Sequence, residues 1–160
     1  MMSRDSEVAW IISYLASRGE TISVAESLTG GGLGSALTAE PGSSTAFLGG
    51  VIAYQAEVKR DLLGVAQELI DKYGVVSEEA AVSMAQGVRK VFGSTWAIAT
   101  TGVAGPAEVD GLPTGTVWLA ICGPINQSTH FYFQGDREVV RNATVISAIT
   151  TFARILNSSK

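Results

Sequence analysis

The chain has 160 residues, of which 46% are hydrophobic and 16% charged, and a formal net charge of -4. That length suits one domain with its own core, expected over 1–160, and the composition excludes disorder. The acidic balance lacks the Lys and Arg footprint that phosphate neutralisation needs, so neither nucleic acid nor an anionic membrane is expected as a partner.

Cys122 is the only cysteine. This excludes an internal disulfide or a Cys-based zinc site, and in the run Val117-Trp118-Leu119-Ala120-Ile121-Cys122 it reads as a small buried side chain. The N-terminal stretch from Met1 lacks the apolar core of a signal peptide. No stretch is expected to be apolar enough to cross a bilayer, which points to the cytoplasm.

In chain order, Val8, Ile11, Ile12 and Leu15 recur at helical spacing, and Gly19 supplies a stop. Residues 21–25 read as a strand that runs into Glu26-Ser27-Leu28-Thr29-Gly30-Gly31, with a helical stretch over 33–37. A second strand is expected over 50–54, then two short helices over 56–63 and 67–73. Ser77 reads as an N-cap, with Glu78 and Glu79 in the first turn where the helix dipole favours acids. A third strand over 95–100 leads into the breaker-rich loop 101–106. Strands over 116–121 and 129–133 are expected to pair as a hairpin, and a long helix starts near Arg137. The expected fold is a three-layer α/β/α sandwich with a mixed, mostly parallel sheet. In such sheets ligands bind beyond the C-terminal strand ends, which would gather the loops at 26–32, 54–59 and 101–106.

The missing motifs narrow the chemistry. There is no Walker-type loop, no G-x-G-x-x-G, no G-x-S-x-G and no S-x-x-K. His130 is the sole histidine and reads as a surface strand residue; a three-His zinc site is impossible. No metal and no cofactor are expected. What remains is hydroxyls, Lys59 and glycine loops. The 26–31 turn is either an anion-binding helix entry or a plain turn with an N-cap. Without histidine, a serine needs a desolvated lysine as its base, and a tyrosine can relay the proton.

The segments Ala25-Glu26-Ser27-Leu28-Thr29-Gly30-Gly31, Pro41-Gly42-Ser43-Ser44, Val51-Ile52-Ala53-Tyr54 with Lys59, Gly74-Val75-Val76-Ser77, Thr101-Gly102-Val103-Ala104-Gly105-Pro106, Gly115-Thr116-Val117-Trp118 and Gly135-Asp136-Arg137 occur in an order that resembles the CinA C-terminal domain family. That family includes the nicotinamide mononucleotide deamidases, and the chain resembles its stand-alone form. The resemblance implies hydrolysis of the carboxamide of nicotinamide mononucleotide to nicotinic acid mononucleotide and ammonia. It implies Ser44 as nucleophile, Lys59 as base, and Tyr54 and Thr101 in the catalytic group. Glu26, Ser27, Thr29, Gly30, Gly31, Gly102, Gly105 and Arg137 are expected against the substrate, with Arg137 as phosphate anchor. A homodimer or higher homo-oligomer is expected. Leu28 stands where the family most often has cysteine, and residues 107–114 carry no lysine before Gly115. The rival readings are a catalytically silent nucleotide-binding domain of the same fold, and a competence- or damage-associated protein.

Overall fold

A computed structural model describes residues 3–158; Met1 and Met2, part of the N-terminal stretch read above, and the last two residues lie outside it. The elements are α1 (Arg4–Arg18), β1 (Ile22–Glu26), α2 (Gly32–Thr38), a 3-10 turn (Ser43–Thr45), β2 (Phe47–Ile52), α3 (Ala56–Leu63), α4 (Gln67–Tyr73), α5 (Glu78–Phe92), β3 (Trp96–Gly102), β4 (Thr116–Cys122), β5 (Gln127–Tyr132) and α6 (Arg137–Ser158). The helix ends follow local chemistry. Ser3 accepts from Ser6 N–H to open α1, Ser77 accepts from Ala80 N–H to open α5, and Asp136 accepts from Val139 N–H to open α6.

The five strands form one sheet in the order β2-β1-β3-β4-β5. β1 is parallel to both β2 and β3, while β4 is antiparallel to β3 and β5 to β4. The second strand begins earlier than its apolar run suggests, because register places Phe47 beside Ile22. Ala53 and Tyr54 then leave the sheet and turn into α3.

Strand alternation sends two kinds of side chain to the two faces. Ile22, Val24, Trp96, Ile98, Leu119 and Ile121 face a large core shared with α1, α2 and α6. Ala25, Ala97, Ala99 and Ala120 face the opposite way, where their small size lets α5 lie close through Ala81, Met84, Ala85 and Val88. The fit on this side is tight: a Cβ on Gly87 of α5 would sit 1.9 Å from the Leu63 carbonyl oxygen. The result is the expected mixed α/β/α layering.

Two expectations need correction. α6 is long and apolar enough to cross a membrane, but half of that stretch is buried. Its Val140, Ala148, Ile149, Phe152, Ile155 and Leu156 are core side chains. Cys122 is only half-buried, at the end of β4 and packed against the cluster that α5 forms with the sheet.

Candidate active site

β1, β2 and β3 run in the same direction, so the chain leaves their C-terminal ends at one edge of the sheet. Backbone pairing extends one residue beyond the strands: Ser27 N–H donates to Thr100 O at 3.0 Å and Ala53 N–H to Glu26 O at 2.8 Å. This fixes the start of each loop. Between them lies a cavity of about 310 Å³, lined by Ser27, Leu28, Tyr54, Lys59, Thr101, Arg137 and the loop 102–109. That volume is at the small end of the range for ligand pockets.

Lys59 sits in α3, a helix of mixed and charged composition, yet only 1% of it is exposed. Its Nζ donates to Ser27 Oγ at 3.0 Å, to Ala53 O at 2.7 Å and to Tyr54 O at 3.3 Å. All three acceptors are neutral. Burial without a counter-charge disfavours the ammonium, and the pKa falls from its ordinary 10.5 to about 8. The result is a lysine partly neutral near physiological pH, in contact with a serine hydroxyl that is itself 8% exposed.

Arg137 opens α6 and bridges the cavity mouth. Its Nη1 donates to Gly105 O at 2.7 Å and its Nη2 to Tyr54 Oη at 3.0 Å. A cation in the first helical turn opposes the dipole; here its partners are a loop carbonyl and a phenol. Its remaining N–H groups are available to an anion. Thr101, 1% exposed, donates its hydroxyl proton to Val75 O at 2.6 Å. It therefore ties the 75–76 segment to the cavity and can offer a ligand only an acceptor. Gly102 and Gly105 line the cavity as expected.

Ser44 is not in this site. It is exposed on the 3-10 turn before β2, whereas Tyr54 and Lys59 lie after that strand. At about 3.3 Å per residue, the length of β2 separates the two ends by roughly 20 Å. The serine that the structure brings to Lys59 is Ser27. The turn residues also depart from expectation. Glu26, 2% exposed, points its carboxylate at α2, accepting from Leu33 N–H at 2.7 Å and Gly34 N–H at 3.0 Å. Thr29 is buried, with Oγ1 2.8 Å from Thr100 Oγ1. Gly30 and Gly31 take φ of 58° and 99°, a region open to glycine. These four residues build the turn that presents Ser27 and do not line the cavity.

Sequence reasoning missed the Ser27–Lys59 contact and also Arg141. The available signal for Ser27 was its place at a strand-to-helix turn, a nucleophile elbow in geometry without the usual glycine spacing.

The family model for the CinA C-terminal domain matches residues 5–156. The chain belongs to the CinA C-terminal domain family. It is 46% identical over 156 residues to a CinA-like protein of Parasynechococcus marenigrum, covering 95% of this chain and 37% of that one. With a CinA-like protein of Synechocystis sp. it shares 46% identity over 160 residues, covering 97% of this chain and 38% of that one. The chain thus spans little more than a third of the length of these curated relatives. The crystal structure of the competence damage-inducible protein A (ComA) from Klebsiella pneumoniae superposes with a TM-score of 0.94 at 32% identity, covering 98% of both chains. The family expected from the ordered motifs is the family found, and the CinA fold extends across the whole described chain.

Proposed function

We propose that this CinA-family domain is an amidohydrolase in which Ser27 is the nucleophile and Lys59 its base, acting on the carboxamide of nicotinamide mononucleotide. The observation that carries this reading is the contact between Lys59 Nζ and Ser27 Oγ. The substrate is the one implied by the resemblance to the deamidases of the family.

Neutral Lys59 directs two N–H bonds to the Ala53 and Tyr54 carbonyls, leaving its lone pair for the Ser27 hydroxyl. The serine proton passes to Nζ as Oγ attacks the carboxamide carbon, giving a tetrahedral oxyanion. Collapse breaks the C–N bond, and the Lys59 ammonium returns the proton to the departing ammonia. Water then attacks the ester, giving a proton to Nζ; Oγ leaves and recovers that proton, and the acid is released. Tyr54 Oη and the free N–H groups of Arg137 stand at the mouth, suited to the polar tail of a mononucleotide.

The test is ammonia release from nicotinamide mononucleotide by purified protein with a chelator present, comparing wild type with Ser27→Ala. Among the described residues no group of three or more His, Cys, Asp or Glu side chains could hold a metal ion, and the serine mechanism needs none, so chelator should leave the rate unchanged. Binding of the nucleotide without ammonia release would replace this reading with that of a silent binding domain.

A further inference from the structure

Arg141 does not line the cavity, but it is bonded to the turn that carries Ser27. Its Nε donates to Leu28 O at 3.0 Å and its Nη2 to Thr29 O at 3.3 Å. The turn is shaped to admit it: a Cβ on Gly30 would sit 3.3 Å from Arg141 Nη2. Arg141 lies four residues after Arg137, so both guanidinium groups stem from one face of α6. Arg137 holds the Gly105 loop while Arg141 holds the Ser27 turn.

These bonds decide where the turn's amides point. A trans peptide is planar, with its C=O and N–H opposed. The Ser27 carbonyl accepts from Gly30 N–H at 3.1 Å, inside the turn, so the Leu28 N–H faces outward. The Leu28 carbonyl is held toward α6 by Arg141, so the next N–H, that of Thr29, faces away from α6. Among the described residues neither amide has a hydrogen-bond acceptor, and Leu28 lines the cavity. The amide following a nucleophilic serine on such a turn is placed to receive the oxyanion.

We propose that Arg141 is a positioning residue: by holding the Thr29 carbonyl it fixes the opposed Gly30 N–H, which holds the Ser27 carbonyl and so turns the Leu28 amide outward as oxyanion donor. The inference rests on Ser27 being the nucleophile. Its contribution then appears only in the transition state, because the neutral carboxamide oxygen gains less from the donor than the oxyanion does. Loss of one oxyanion donor costs about 100- to 1,000-fold in kcat. A turn that is loosened and still samples the right geometry should lose somewhat less.

The experiment compares Arg141→Ala, Arg141→Lys and Ser27→Ala in ammonia release from nicotinamide mononucleotide, with kcat and KM separated and thermal melts recorded. Both Arg141 variants should lose about 30- to 100-fold in kcat, with KM changing less than about threefold. Added guanidinium ion at about 20 mM should restore part of the rate in Arg141→Ala and none in Ser27→Ala, a response that a merely structural role would not produce. Should Arg141→Ala fail to fold, Arg141→Lys carries the test, since one ammonium cannot hold two carbonyls in the guanidinium geometry. A raised KM at unchanged kcat would make Arg141 a substrate contact and overturn the proposal, as would wild-type kinetics in either folded variant. Full activity in Ser27→Ala would instead remove the serine reading itself.

Discussion

The Lys59 Nζ and the Ser27 Oγ lie 3.0 Å apart although 32 residues separate them in the chain. Ser27 follows the end of β1 and Lys59 projects from α3, which follows β2. The parallel pairing of β1 with β2 brings those two ends to one edge of the sheet. The contact is therefore a product of sheet topology.

With this contact as the catalytic one, Ser27 and the sequence-expected nucleophile Ser44 should separate cleanly. Ser27→Ala should lower kcat by about a thousandfold or more, as for other covalent-catalysis serines. Ser44→Ala, altering an exposed turn on the far side of β2, should stay within about twofold. Steady-state ammonia release decides the matter, and a large loss at Ser44 with none at Ser27 would reverse the assignment.

The pH dependence follows from Lys59. With a pKa of about 8, roughly a tenth of the molecules carry the neutral base at pH 7 and roughly nine tenths at pH 9. The rate should therefore rise about tenfold between those values and then level off. Lys59→Arg keeps a cation that cannot accept the proton, so it should lose nearly as much activity as Lys59→Ala. A flat profile, or an active arginine variant, would move the base elsewhere.

The same shift bears on stability. Lys59 has its folded pKa depressed to about 8 against an ordinary 10.5. Below pH 8 both states bind the proton, and the folded state carries the full cost of the buried ammonium. Between about pH 8 and 10.5 the unfolded state binds more protons, so stability rises with pH, by about 3 kcal/mol in all. Chemical denaturation of wild type and Lys59→Met across that window should show the rise in the first and its absence in the second. Parallel curves would mean that the ammonium is not destabilised by burial.

Packing supplies a prediction independent of activity. Gly87→Ala places a methyl group 1.9 Å from the Leu63 carbonyl oxygen, between α5 and the end of α3. Backbone cannot yield as a flexible side chain does, so the variant should lose about 3 kcal/mol. Because α3 carries Lys59, its rate should also fall if α3 shifts. A melting temperature equal to wild type would show that the two helices are not in the close contact described.

Sequence by itself determined the succession of strands and helices, the caps at Ser77 and Gly19, the family, and several residues of the cavity wall. Lys59, Tyr54, Thr101, Gly102, Gly105 and Arg137 line the cavity or its mouth: Thr101 and Gly102 end β3, Tyr54 and Gly105 follow strands, Lys59 lies in the helix after β2, and Arg137 opens α6. Those features depend on short-range pattern and are legible locally. Tertiary structure decided which serine meets the lysine. Ser27 and Ser44 both lie near strands and glycines, and only the parallel direction of β1 and β2 puts one at the edge that holds Lys59 and the other at the opposite edge. It also decided that Glu26 binds the amides of α2 and that Arg141 reaches the Ser27 turn, contacts set by packing between elements distant in sequence. The desolvation of Lys59 belongs to the same class. A lysine in a mixed, charged helix reads as solvated, and its pKa falls because folding closes the ends of β1 and β2 over it.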